Sequence, residues 1–231
     1  ERVCCVEIAG RAMCTGFLVA PDLVMTVHHA LRDVIEHPEV ASDVSMRFGF
    51  VRGAEGERFG LASEWLLDAS TASDLDSKFE EGPRALDEMD YVILRLSEAV
   101  GHTAARDGRP RGWFDLRRVS APLGEALTIL HHVVGGPLVL SMNLSSVTGY
   151  NDNSTRLYHR TNTARGSAGA PCLDAQWNVV AMHHAGDLRA GYNQALPIAA
   201  IYDLLRARGK LDEIERHVRV TPFGRLVERL E

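Results

Sequence analysis

Three observations predict an all-β protein with a helical C-terminal end. Short segments rich in Val, Ile and Leu recur along most of the chain, separated by Gly, Pro, Asn and Asp. No alternation of strand and helix patterns accompanies them, which argues for a barrel or sandwich. Apolar residues at helical intervals appear only after residue 198.

The elements follow in order. Residues 2–8 and 14–19 read as strands around a turn at Gly10 and Arg11. Pro21 and Asp22 make a tight turn before a short strand at 23–26. A helical turn is expected at 29–35 and a strand at 44–51. Residues 67–82 carry Asp68, Asp74, Asp76, Glu80 and Glu81 and read as a surface loop. A compact strand follows Asp90 at 91–96. The Gly-, Arg- and Pro-rich stretch 101–112 is the expected connection between lobes. Strands are expected again at 127–130, 138–144, 157–160 and 179–183, and helical patterns at 198–208 and 211–218.

Composition narrows the function. At 231 residues the chain fits one large domain or two small lobes, with 45% apolar residues to form a core. A net charge of −6 supplies no basic footprint for nucleic acid, and no apolar run is long enough to span a membrane. Neighbouring Cys4 and Cys5 point to opposite faces of a strand, which suits reduced core thiols, with Cys14 and Cys172, in a cytoplasmic protein. The Asn-X-Ser/Thr triplets at Asn143 and Asn153 carry no firm reading.

Three separated segments bear chemistry together. They are Thr26-Val27-His28-His29-Ala30, Asp90-Tyr91-Val92-Ile93-Leu94 and Gly166-Ser167-Ala168-Gly169-Ala170-Pro171. In that order they resemble the His, Asp and Ser segments of trypsin/chymotrypsin-like serine peptidases, in the bacterial branch with a paired-His motif. The resemblance covers roughly residues 2–200. It implies two six-stranded antiparallel β-barrels with a C-terminal helix. Residues 1–105 would form the lobe with His29 and Asp90, residues 106–200 the lobe with the nucleophile turn and specificity pocket, and residues 201–231 a helical tail.

The resemblance also assigns roles. His29 is the general base, and Asp90 the carboxylate that fixes its tautomer and stabilises its cation. The backbone N–H groups of Gly166 and residue 168 form the oxyanion hole. The family's turn reads Gly-X-Ser-Gly, and here Ala168 stands at the nucleophile position. A methyl group cannot attack a carbonyl, so this copy is expected to be inactive. The side chain of Ser167 leaves the backbone one residue early and is not expected to substitute. An engineered Ser→Ala replacement and a natural pseudoprotease that binds peptides or a partner both account for Ala168. Ser167 also stands where trypsin-like zymogens carry an Asp that receives a freed N-terminus, so N-terminal processing is not the expected switch.

Pocket residues follow from the same likeness. Asn162 stands where trypsin places its Asp, which removes the counter-charge for Lys or Arg. Thr163 and His183 fall where bacterial glutamyl endopeptidases carry a hydroxyl and a histidine, implying preference for an acidic residue before the cut. A core role for His183 stays open. The stretch His184 to Gly186 is expected to pair with substrate backbone. No cofactor or metal is expected: His131, His132 and His184 lack a recognised ligand spacing, and 130–137 reads as a turn beside the cleft. Expected partners are a protein or peptide substrate. Bacterial domains of this kind occur fused to adaptor or NTPase modules in defence systems, so a fused or associated regulatory domain is also implied. The tail either leads to such a domain or caps the barrel.

Overall fold

The structure, a computed structural model, describes residues 1–78, 80, 82–187 and 191–216. The first lobe is a closed barrel of six antiparallel strands. They are β1 (Val3–Ile8), β2 (Arg11–Ala20), β3 (Leu23–Val27), β4 (Val44–Phe48), β5 (Glu57–Ser70) and β6 (Tyr91–Leu96), ordered β1-β2-β3-β6-β5-β4. Ala9 and Gly10 join β1 to β2 with φ of 48° and 74°, the left-handed turn geometry that matches the twist of paired strands. Every residue of β3 is buried, and Phe17, Leu18, Met25, Ile93 and Leu94 are buried in the core on the two faces of the barrel wall. The helical turn expected at 29–35 appears as α1 (Arg32–Glu36).

The expected loop at 67–82 is corrected. Its first residues complete β5, which exposes Glu57, Arg58, Ser63 and Glu64 but buries Ser70 at its end. Beyond it, α2 (Asp74–Lys78) turns Asp76 inward to a buried position. Two guanidiniums make that burial tolerable. Asp76 accepts from Arg84 Nε at 3.0 Å and from Arg156 Nε and a terminal nitrogen at 3.0 and 2.5 Å.

The second lobe is a seven-stranded antiparallel sheet, one strand more than expected. It contains β7 (Leu127–His131), β8 (Val139–Asn143), β9 (Val147–Tyr150), β10 (Leu157–His159), β11 (Pro171–Leu173), β12 (Val179–Asp187) and β13 (Tyr192–Pro197), ordered β8-β7-β11-β12-β13-β10-β9. Two short helices close the described chain, α3 (Ile198–Ala207) and α4 (Leu211–Glu215). Ile198, Ile201, Leu205, Leu211 and Ile214 bury into the main core, so this part of the tail caps the fold. The remainder of the expected helical pattern, 217 and 218, and the tail to 231 lie outside the described residues. All four cysteines are free and buried. No described helix is long and apolar enough to cross a membrane.

Candidate active site

Strand register places His29 beside Asp90. The last pair of β3 and β6 is Val27 with Tyr91, so the residues just beyond each strand end must meet. Asp90 is fully buried and held in the left-handed region at φ 40°. Its carbonyl accepts from the His28 N–H at 3.1 Å, and its Oδ1 accepts from the His29 backbone N–H at 2.9 Å. Its Oδ2 lies 2.6 Å from His29 Nδ1. An ionised carboxylate there accepts a hydrogen bond from Nδ1–H and leaves the lone pair on Nε2, the tautomer a general base requires. The His29 side chain is 39% exposed, so the ring is reachable. Burial pulls its pKa down, and the hydrogen bond and charge of Asp90 outweigh that and raise it. Asp90 itself is held far below the carboxylate range. Burial opposes this, but hydrogen bonds and charge from His184 and His29 prevail.

The turn at 166–170 is bound to both lobes. Thr15 N–H donates to the Ala168 carbonyl at 2.9 Å and Thr15 Oγ1 to the Gly166 carbonyl at 2.8 Å. Thr26 Oγ1, just before the His28-His29 pair, donates to the Thr15 carbonyl at 2.7 Å. On the other side, Gly169 N–H donates to the His183 carbonyl and His183 N–H to the Ala170 carbonyl, both at 2.8 Å. Through these bonds the turn that carries residue 168 is tied to β2 and β3, the strand that leads into His28 and His29, and to β12.

Glycine at 166 is required twice over. Its φ is 93°, and a Cβ would stand 2.4 Å from the His132 carbonyl oxygen. The Arg165 carbonyl accepts from Val134 N–H at 2.7 Å, and the Ser167 carbonyl from Ala170 N–H at 3.0 Å. In trans peptides the N–H opposes the C=O, so the amides of Gly166 and Ala168 point away from these anchors.

Ser167 is fully buried and committed elsewhere. Its Oγ accepts from Ala164 N–H at 3.0 Å and lies 2.6 Å from His131 Nδ1, within hydrogen-bond distance. His131 Nε2 in turn lies 3.0 Å from Ser141 Oγ. His132 bonds the Gly136 carbonyl at 2.9 Å and stacks on Phe50; of the turn expected at 130–137, Leu130 and His131 belong to β7 and a helical turn occupies Val133–Gly135.

The predicted pocket residues separate. Asn162 is exposed and Thr163 half-buried. Gly186 faces Thr163 and Asn193: a Cβ there would lie 3.4 Å from Thr163 Oγ1 and 2.3 Å from Asn193 Oδ1. His183 is buried with its Nδ1 3.2 Å from His159 Nε2. Burial lowers the pKa of both, with that of His159 lowered to about 4. His184, expected beside the substrate, turns its side chain inward: its Nδ1 lies 2.6 Å from Asp90 Oδ2, the oxygen His29 also uses. His29, Asp90 and His184 are the one metal-ligand-like group among the described residues, and hydrogen bonds account for its spacing.

Sequence reasoning missed Asp76, Arg84, Arg156 and His159. No local motif surrounds them. The available signal was the His183-His184 pair, since one face of a strand cannot take both rings. The irregular register between His183 and Ala185 lets both become buried.

Comparison with known proteins agrees with this geometry. The family described as trypsin-like peptidase domain matches residues 14–182. An uncharacterized protein of Sinorhizobium fredii is 30% identical over 74% of this chain, and a "probable serine protease" of Lysobacter enzymogenes is 25% identical over 81%. The chain spans 25% and 30% of the length of these two relatives. Among solved structures, a Glu endopeptidase superposes with a TM-score of 0.63 at 17% identity, covering 91% of this chain and 90% of its own. A serine endoprotease from Yersinia pestis gives 0.61 at 11% identity, covering 92% and 64%. At such identities the likeness is one of fold.

Proposed function

This chain belongs to the trypsin-like peptidase family, and we propose that it is a serine endopeptidase domain silenced by alanine at position 168. The observation that carries the reading is the His29–Asp90 pair, with Nδ1 bonded to a buried carboxylate and Nε2 left to act as base. A serine at 168 would give its proton to His29 Nε2 as its oxygen attacks the peptide carbonyl. The Gly166 and residue 168 amides would hold the oxyanion, and His29 would return the proton to the leaving amine.

Ala168 is read as a Ser→Ala replacement, because the chain keeps a His29 bonded to a buried carboxylate and a left-handed turn at Gly166 that only glycine fits, features that a domain without catalysis has no need of. The competing reading, a peptide- or partner-binding pseudoprotease, rests on Ala168 alone. Ser167 bonds His131 and needs no N-terminal amine, which supports control by another domain or partner.

The pocket reading favours an acidic residue before the cut. A buried N–H without an acceptor is rarer than a bare lone pair, so the partnerless His159 Nδ1 is best left unprotonated. His159 Nε2–H then donates to His183 Nδ1, and His183 keeps its own proton on Nε2 for a substrate carboxylate. Thr163 Oγ1 supplies a second donor. The Ala168→Ser chain, used without N-terminal trimming, should cleave a peptide library after Glu or Asp, with a rate gain on the order of 10⁴-fold or more. A folded but inert Ala168→Ser chain favours the pseudoprotease. Cleavage mainly after Lys or Arg overturns the pocket assignment.

A further inference from the structure

Beside the base lies a second histidine that the peptide chemistry does not use. His184 is buried on β12, with its ring edge-on to His29 at 5.9 Å between centroids. Its Nδ1 and that of His29 both stand 2.6 Å from one oxygen, Asp90 Oδ2. Its Nε2 is buried with no hydrogen-bond partner and faces Asp76 Oδ2 at 3.5 Å. Asp76 is in turn clasped by Arg84 and Arg156. A continuous polar chain therefore runs from the base through Asp90 and His184 to Asp76 and two buried guanidiniums.

We infer that His184 is a positioning residue that shares the Asp90 carboxylate with His29 and thereby sets the basicity of His29. The reasoning is electrostatic. An oxygen that accepts from two N–H groups offers less negative charge to each than it would to one. Removing the His184 donor leaves Asp90 Oδ2 to His29 alone, and the His29 imidazolium gains stability. The proton on His184 Nδ1 is fixed by the carboxylate it faces. Any proton on Nε2 meets Asp76 and adds a positive charge near His29, which acts in the same direction.

The charged and titratable groups around His29 are Asp90, His184, His183, His28, Arg32 and Asp76. All except His184 remain when His184 is replaced. The inference rests on the peptidase reading only for its value to catalysis; the geometry stands without it.

The test uses the Ala168 chain and needs no cleavage. Histidine side chains are labelled and followed by NMR through a pH titration. Two variants bracket the effect: His184→Asn keeps an amide N–H near the place of Nδ1, and His184→Leu removes the donor at similar volume. The His29 midpoint should rise by about one pH unit in His184→Leu, the worth of one charge-assisted hydrogen bond, and stay near the parent value in His184→Asn. In the unmutated chain the His184 Nδ1–H resonance should shift at the His29 midpoint, a reading that holds even if a variant fails to fold. A His184 signal that ignores the His29 titration, or equal midpoints in parent and folded His184→Leu, overturns the assignment. Failure of Ala168→Ser to cleave peptides would leave these signals untouched.

Discussion

Acid should unfold this protein partly through one residue, His159. It has no exposed surface, and burial lowers its pKa to about 4 from the ordinary 6.5. Protonation would place an N–H on Nδ1, which has no acceptor among the described residues, and a charge in a buried site beside His183. The folded pKa lies below the unfolded one, so between the two values the unfolded chain binds more protons. Stability is then fully present above about pH 6.5 and falls as pH drops towards 4. At pH 4.5 a displacement of that size costs about 2.5 kcal/mol. Urea unfolding of the parent and of His159→Gln at pH 7 and pH 4.5 measures it. The parent should lose about 2.5 kcal/mol more than the variant between the two conditions. His132, also lowered to about 4, titrates in both chains and cancels in the comparison. His183 shares one hydrogen bond with His159, so the loss belongs to the pair and His183→Gln should reduce it similarly. Parallel losses in parent and His159→Gln would refute the reasoning.

Two further substitutions probe the frame around the site. Gly166→Ala sets a Cβ 2.4 Å from the His132 carbonyl at a φ of 93°, and should lower stability by roughly 2 kcal/mol in chemical unfolding. In the Ala168→Ser background it should also cut peptide hydrolysis by on the order of 10²-fold, through the displaced oxyanion donor. Arg156→Met removes a fully buried guanidinium from Asp76 and should cost about 3–5 kcal/mol by the same measurement. An unchanged unfolding midpoint would mean that Arg84 alone satisfies Asp76.

The barrel strands were readable wherever burial wrote itself as a run of apolar residues. Every position of β3 is buried, and so is all of β6 except Arg95. That is why 23–26 and 91–96 stand out in the sequence. By contrast, β5 is half-buried or exposed at every position before Ser70, with no apolar run to mark it, and its pairing with β4 and β6 makes it a strand. Its acidic continuation reads as a loop for the same reason. The countercharges that draw Asp76 inward come from Arg84 and from Arg156, 80 residues away. No local pattern carries an attraction of that range.

The site divides along the same line. His29 and Asp90 were legible through the motifs around them, and the register of β3 and β6 brings the ends of those two strands together. The role of Ser167 was half visible: its side chain was expected to be unable to serve as nucleophile, but the partner that holds it, His131, comes from another strand. His184 was misplaced for a deeper reason. A strand edge that pairs with substrate through its backbone still has a side chain to dispose of, and in β12 the irregular register turns it inward onto Asp90. The backbone expectation and the buried ring are therefore compatible. In the proposed peptidase one residue faces substrate through its peptide group while its imidazole shares Asp90 with His29.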